Sequence, residues 1–151
     1  MRRLYFAYGS NMDEQQMRAH CPTFRRVDSA CLPRHRLAFT RRSVVSGTGV
    51  ADVVAAPGGA VWGVLYEVGE GDLEALDRKE GNGWAYAREQ KPVTLAADSS
   101  AHGAIVYTVL AKEPREVPPS REYLERLIAA AEDQGLPREY IATLRTVLPA
   151  R

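Results

Sequence analysis

A short helical segment near the middle of the chain carries an acid where an apolar residue is expected. Leu73 and Leu76 recur at helical spacing, and the same stripe reaches Glu80. Asp72 is predicted to cap this helix and Gly81 to end it, which places Glu80 in the last turn. The helix dipole and an apolar environment would both raise the pKa of Glu80 toward neutrality, as proton transfer near pH 7 requires. The alternative is a solvated glutamate at a frayed helix end.

A second candidate site lies where the first strand ends. The run Leu4–Tyr8 is apolar and aromatic and is followed by Gly9 and Ser10, while Asn11 and Glu14 have the spacing of a capping box at a helix start. A tight turn that opens a helix points backbone N–H groups at one spot, where an anion is favoured. The alternative is an ordinary N-capped turn with no ligand.

Periodicity predicts five or six strands before a helical C-terminal part. After the first strand, the predicted strand segments are residues 30–40, 50–54, 61–68, 86–95 and 103–110. The turn signal Pro57-Gly58-Gly59 predicts an antiparallel hairpin between the third and fourth of the six strands. Tyr107 lies in an aliphatic run, so its hydroxyl belongs either to a site or to a core hydrogen bond with a backbone carbonyl.

Two amphipathic helices are predicted to follow. Ser120 caps the first and Gly135 stops it, and the second starts at Pro137. Their inward residues are predicted to be Tyr123, Leu124, Leu127, Ile128 and Ala131 in the first helix, and Tyr140, Ile141, Leu144 and Leu148 in the second. The order of elements indicates an α+β fold, a small barrel with flanking helices, in a single domain over residues 1–151.

Charge and composition narrow the partner classes. The 151 residues include 20 basic and 19 acidic side chains, a net charge of +1 that gives no general reason to expect nucleic acid. The early arginines, Arg25, Arg26, Arg34, Arg36, Arg41 and Arg42, are interpreted as a solvated face. No signal peptide or membrane-spanning run is recognised, so a cytoplasmic protein with reduced thiols is expected. The residues His20, Cys21, Cys31 and His35 match no zinc spacing, and no metal is expected.

Several segments, taken together, resemble the γ-glutamylcyclotransferase family. They are Tyr8-Gly9-Ser10-Asn11 after the first strand, Val61-Trp62-Gly63-Val64, and Leu76-Asp77-x-x-Glu80-Gly81 followed by Tyr86. The tail segments Pro118-Pro119-Ser120-x-x-Tyr123 and Gly135-Leu136-Pro137-x-x-Tyr140 are similar to the same family. These matches span most of the chain in the expected order, which makes the pattern more specific than any single motif.

The resemblance implies a small mixed β-barrel of five to six strands and a cofactor-independent enzyme that cyclises a γ-glutamyl group to 5-oxoproline. Glu80 would be the general acid/base, and the loop Tyr8, Gly9, Ser10 and Asn11 would hold the γ-glutamyl moiety. The resemblance also places Tyr86 and Tyr107 near the site.

The attacking nucleophile in this reaction is the substrate's own α-amine, so the chain needs no Ser, Cys or metal-bound water to supply one. The substrate α-carboxylate is expected on the turn around Gly9, and oxyanion donors on a backbone N–H or on the hydroxyl of Tyr86 or Tyr107.

Two alternatives stay open from sequence. One is a cyclotransferase for γ-glutamylamines or another γ-glutamylated metabolite, which shares the glutamyl half of the substrate and differs in the leaving group. The other is a module with the same fold that binds a metabolite or protein without turnover. The expected partner is a small-molecule γ-glutamyl compound, with no nucleic acid and no membrane, and the expected state is a monomer or homodimer.

Overall fold

The computed structural model describes residues 2–151, which form five strands and four helices. The strands are β1 (Arg3–Ala7), β2 (Arg25–Arg42), β3 (Gly49–Val68), β4 (Tyr86–Leu95) and β5 (Ala101–Val109). The helices are α1 (Glu14–His20), α2 (Glu70–Glu80), α3 (Arg121–Asp133) and α4 (Arg138–Arg145), and a 3₁₀ turn covers Ser10–Met12.

The five strands form a closed barrel in the order β1-β3-β2-β4-β5. Neighbouring strands pair antiparallel, except that β1 and β5 close the barrel as a parallel pair at Tyr5 and Ile105. The α+β fold with a small mixed barrel is therefore confirmed. Closure removes the open sheet edges through which strands otherwise associate with other chains.

Two buried apolar clusters lie on opposite faces of the strands. One consists mainly of strand residues, among them Phe6, Leu32, Val61, Leu65 and Val106. The other joins the opposite strand face to the helices and includes Tyr5, Tyr66, Leu76, Leu127 and Leu144. Alternation along β1, with Tyr5 in one cluster and Phe6 in the other, is the two-residue period of a strand.

The predicted hairpin at Pro57-Gly58-Gly59 is wrong. The segment lies inside the continuous strand β3, whose two halves both pair with β2 and not with each other. Pairing jumps from Pro33 opposite Ala60 to His35 opposite Ala55, so the turn residues form a bulge. Gly58 has φ 81° there, in the left-handed region that favours glycine. The turn residues thus lie at a bulge in the pairing of two long strands and not at a chain reversal.

Two helix starts also differ from those predicted. Helix α1 is capped by Asp13, whose side chain accepts the Gln15 N–H at 2.9 Å, so Asn11 is not its N-cap. Helix α2 begins at Glu70 after Gly69, and Asp72 accepts the Gly69 N–H at 3.1 Å from inside the first turn. A carboxylate three residues into a helix can bond back to the residue before it, so its position in the sequence does not identify the cap.

The C-terminal helices agree with the prediction except at the end of the chain. Ser120 caps α3 by accepting the Tyr123 N–H at 3.0 Å, and Gly135 follows the helix with φ 70°. Helix α4 buries Ile141 and Leu144 but ends at Arg145, so Leu148 is 81% exposed and not inward as predicted.

Candidate functional site

One pocket is lined by every residue for which the sequence predicts a site role. Those residues are Tyr8, Gly9, Ser10, Asn11, Glu80, Tyr86 and Tyr107. Four further residues complete the lining, namely Tyr5, Phe6, Ala51 and Tyr123. The pocket therefore gathers side chains from β1, β3, β4, β5, the end of α2 and the first turn of α3.

Glu80 is the last residue of α2 and is half-buried against the pocket. Gly81 ends the helix in a left-handed conformation with φ 66°, and the Asn82 N–H donates to the Asp77 carbonyl at 2.9 Å. Burial raises the pKa of Glu80 above its usual value, and the Lys79 cation beside it opposes that change. The direction agrees with the expectation from sequence, and a carboxyl group with a raised pKa is suited to accepting and then donating a proton.

The turn after β1 presents unpaired backbone donors to the same pocket. Within the turn, the Met12 N–H donates to the Gly9 carbonyl at 3.0 Å and the Asp13 N–H to the Ser10 carbonyl at 3.2 Å. The N–H groups of Gly9, Ser10 and Asn11 have no acceptor among residues 2–151. Consecutive free N–H groups on a tight turn form a concave site that suits a carboxylate or an oxyanion.

Gly9 faces the open space of the pocket. A Cβ atom added there would lie 3.7 Å from the Tyr123 hydroxyl and 3.8 Å from the Ala51 Cβ, which are ordinary contact distances. A small side chain at this position would therefore occupy ligand space and not collide with the protein.

Asn11 is almost fully buried, 3% exposed, and its side chain builds the pocket wall. Its Nδ2 donates to the Tyr5 hydroxyl oxygen at 3.0 Å, and its backbone carbonyl accepts the Tyr66 hydroxyl at 3.0 Å. The turn is thus held to β1 and β3 by hydrogen bonds from both its side chain and its main chain.

The three tyrosines with a predicted site role all donate their hydroxyl protons to acceptors within the protein. Tyr8 donates to the Tyr107 carbonyl at 2.6 Å, Tyr86 to the Ala51 carbonyl at 2.9 Å, and Tyr107 to Asp77 Oδ1 at 2.6 Å. Burial is the main reason that the pKa of each hydroxyl lies above its usual value, so all three stay protonated near neutral pH. The Tyr107 partner is a carboxylate and not the backbone carbonyl considered from sequence.

Two other pocket tyrosines keep their hydroxyl protons available. The Tyr123 hydroxyl accepts the Ala51 N–H at 3.1 Å, and the Tyr5 hydroxyl accepts from Asn11. Neither hydroxyl donates to an acceptor within residues 2–151. Burial raises the pKa of Tyr123 to about 12 and that of Tyr5 well above its usual value. The sequence placed Tyr123 on a core face and Tyr5 in a strand, and it gave no signal for either hydroxyl.

Two further observations concern metal binding and membrane spans. Over residues 2–151, no group of three or more His, Cys, Asp or Glu side chains is arranged to hold a metal ion. No helix in that range is long and apolar enough to span a bilayer.

Comparisons with known proteins agree with the fold. Residues 60–144 match the model of the AIG2-like family. γ-Glutamylcyclotransferase from Homo sapiens is 30% identical over 152 residues, which cover 97% of this chain and 79% of that protein. The Bos taurus protein of the same name is 28% identical with the same coverage. A solved γ-glutamyl cyclotransferase superposes with a TM-score of 0.92 at 27% identity, covering 99% of this chain and 90% of that one. The chain therefore belongs to the AIG2-like family of γ-glutamylcyclotransferase enzymes.

Proposed function

We propose that the protein is a γ-glutamylcyclotransferase that converts a γ-glutamyl amino acid to 5-oxoproline and the free amino acid. Its membership of the family supports the reaction class. The observation that carries the proposal is the pairing, in one pocket, of the half-buried Glu80 carboxyl with the unbonded N–H groups of Gly9, Ser10 and Asn11. A proton-transfer group and an anion site are the two parts that intramolecular cyclisation needs.

The turn N–H groups would bind the substrate α-carboxylate. Anchoring this carboxylate near Gly9 holds the glutamyl chain by one end and lets it fold back, so that the α-amine meets the γ-carbonyl. Orientation of this kind contributes roughly 7–11 kcal/mol in favourable intramolecular reactions. The pocket need not supply a protein nucleophile, because the substrate contains one.

Glu80 would act twice in the reaction. Its carboxylate first removes a proton from the α-ammonium group, and the neutral amine attacks the γ-carbonyl carbon to form the new C–N bond of the lactam ring. The protonated Glu80 then donates that proton to the leaving nitrogen as the original amide C–N bond breaks. The ring nitrogen loses its second proton through Glu80 to the released amine, which leaves the lactam with one N–H and the amino acid with an ammonium group. The products are 5-oxoproline and an amino acid, and Glu80 ends in its starting state. Burial raises the pKa of Glu80, which makes its protonated form easier to reach than that of a solvated glutamate.

The developing oxyanion needs donors that the protein has not already used. Tyr86 and Tyr107 donate their protons to Ala51 and Asp77, so they fit this role less well than the sequence suggested. The Tyr123 hydroxyl proton is available and lies beside Gly9 in the pocket. We therefore assign Tyr123 as the side-chain donor to the oxyanion.

A groove next to the pocket favours an amino acid as the leaving group over an amine. Tyr123 lines both spaces, so the groove and the pocket are neighbours. Arg126 contributes a guanidinium to this groove, and its ion pair with Glu122, at 4.0 Å, is long. A leaving amino acid carries a carboxylate that Arg126 can bind, whereas a simple amine carries none.

The proposal is tested by incubating the purified protein with γ-glutamyl dipeptides, γ-glutamylamines and glutathione and measuring 5-oxoproline. We expect the highest kcat/KM with the dipeptides. Faster turnover of γ-glutamylamines would favour the alternative leaving group. Failure of every donor to give 5-oxoproline would contradict the proposed activity and favour a binding module.

A further inference from the structure

Lys79 joins the end of α2 to the turn after β1. Its ammonium group donates to Asn11 Oδ1, and a longer contact of 3.4 Å reaches the Ser10 hydroxyl. The Ser10 hydroxyl has a shorter contact with Gln16, which donates to it at 2.9 Å. The main hydrogen bond of Lys79 is therefore the one to Asn11. Lys79 itself is half-buried and precedes Glu80 in the helix.

The chemistry of an ammonium group decides how the Asn11 amide is oriented. A lysine ammonium has three donors and no acceptor, so only the amide oxygen of Asn11 can face it. The amide nitrogen must then face the Tyr5 hydroxyl, 3.0 Å away, and the Tyr5 oxygen must accept from it. A neutral partner in place of Lys79 would allow the amide to turn over and present its oxygen to Tyr5.

The orientation of Asn11 determines what the Tyr5 hydroxyl can do. Because its oxygen accepts from Asn11, its own proton remains for another acceptor, and Tyr5 lines the same pocket as Glu80. Were the amide reversed, the Tyr5 proton would be drawn to the amide oxygen and away from the pocket. The Tyr5 ring itself is held by Tyr66, with ring centroids 6.3 Å apart, and by Tyr107, with centroids 5.8 Å apart.

We infer that Lys79 is a positioning residue that fixes the Asn11 amide and thereby leaves the Tyr5 hydroxyl proton for an oxygen of the pocket ligand. Lys79 does not touch the ligand in this scheme. The identity of that ligand as a γ-glutamyl compound rests on the proposed function, whereas the orientation of Asn11 does not.

The first test is independent of turnover. We expect the side-chain ¹⁵N–¹H signals of Asn11 to exchange slowly with solvent in the wild-type protein and in Lys79→Arg, which keeps a donor-only group. In Lys79→Met, which keeps the length without the charge, we expect those signals to shift and to exchange faster. Unchanged Asn11 signals in Lys79→Met would overturn the inference.

The second test is kinetic and uses a neighbouring control. We expect Lys79→Met to lower kcat about tenfold with a smaller change in KM, and Lys79→Arg to restore most of the loss. Arg78→Met removes a cation from the exposed side of the same turn and should leave both constants unchanged. Wild-type kinetics in Lys79→Met with an unchanged melting temperature would contradict the role. A protein without turnover on any donor would contradict the proposed function instead, and the Asn11 signals would still decide the role of Lys79.

Discussion

Glu80 illustrates how the burial of an ionisable side chain can lower the stability of the protein that holds it. The folded protein raises the pKa of Glu80 above its usual value of 4.5, so the folded state binds this proton more tightly than the unfolded chain does. The free energy of unfolding therefore falls as pH rises through the range from that usual value up to the folded-state pKa. Once ionised, the half-buried Glu80 side chain is a net cost to folding.

This gives a stability prediction for Glu80→Gln. We expect the variant to melt at least as high as wild type at pH 7.5, and the difference to disappear below pH 4.5, where both forms are uncharged. Glu74→Gln, on the exposed side of the same helix, is the matched control and should show no such pH dependence. If Glu80→Gln is less stable than wild type at pH 7.5, the ionised Glu80 side chain does not lower the free energy of unfolding.

The tyrosines of the pocket differ in which partner holds their hydroxyl proton. We expect Tyr123→Phe to lower kcat about a hundredfold, because it removes an oxyanion donor. Tyr86→Phe should instead lower the free energy of unfolding by about 1–3 kcal/mol, because it leaves the Ala51 carbonyl without its donor, with a smaller effect on kcat. Steady-state kinetics and denaturant unfolding of both variants measure the two effects. A large loss of kcat in Tyr86→Phe and a loss of stability alone in Tyr123→Phe would assign the role of oxyanion donor to Tyr86.

Sequence spacing marked Glu80 as a candidate, because one helical stripe contains both the apolar residues and the acid, and the family resemblance favoured it over a solvated glutamate. It could not single out Tyr5 or Tyr123. Their hydroxyl protons are free within residues 2–151 because the hydroxyl oxygens accept from Asn11 and Ala51, which contact these tyrosines only in the folded chain. The direction of a hydroxyl group is set by its partners, so residue type and local period carry no information about it.

At the scale of elements, the turn after β1 is a 3₁₀ turn that leaves donors free, and α1 begins only after Asp13. The free N–H groups at the predicted anion site therefore belong to the turn itself and not to the start of a helix. The position of this candidate site was predictable, since a strand, a glycine and polar residues follow one another. Its geometry was not, because Asn11 bonds to Tyr5 and not to the backbone of the next helix.

The turn gives a prediction for Gly9→Val. We expect kcat/KM to fall about a hundredfold while the melting temperature stays close to that of wild type, because the added side chain enters space that the ligand uses. Gly71→Val is the matched control, since a Cβ at Gly71 meets no atom within 4 Å, and it should retain wild-type kinetics. Wild-type kinetics in Gly9→Val would exclude the turn as the binding site.

The strands β2 and β3 show where local signals fail. Pro57-Gly58-Gly59 is a strong turn signal, yet the chain continues as one strand through it. A bulge and a turn use the same residues, and only the long-range pairing with β2 decides between them. The strand count, the parallel closure and the flanking helices depend on that pairing too, so the fold class was predictable and the register was not.

At the scale of the whole molecule, the site depends on contact between the barrel and the helical layer. Tyr123 comes from α3, and its hydroxyl accepts from Ala51 of β3. Gly49 of β3 donates to the Pro118 carbonyl at 2.9 Å, and Ala150 donates to the Pro119 carbonyl at 2.7 Å, so the segment before α3 is tied to the barrel and to the end of the chain. The helices therefore complete the pocket and also provide one wall of the neighbouring groove.

The position of Arg126 in that groove gives a prediction on the choice of substrate. We expect Arg126→Met to raise KM for γ-glutamyl amino acids about two- to fivefold, the effect of an exposed ion pair, and to leave KM for γ-glutamylamines unchanged. Arg121→Met, on the same helix and outside the groove, is the control. Equal changes for both substrate classes would show that Arg126 does not bind the leaving carboxylate.

The most direct test of the proposed role of Glu80 is the rate of 5-oxoproline formation from a γ-glutamyl dipeptide. This rate is measured for wild type, Glu80→Gln and Glu74→Gln at matched protein concentration. We expect wild type and Glu74→Gln to form the product at similar rates, and Glu80→Gln to be slower by about 10²- to 10⁴-fold, because the amide can neither take up nor deliver the proton. A Glu80→Gln protein that forms 5-oxoproline at a rate close to that of wild type would contradict the role of Glu80 as the general acid/base.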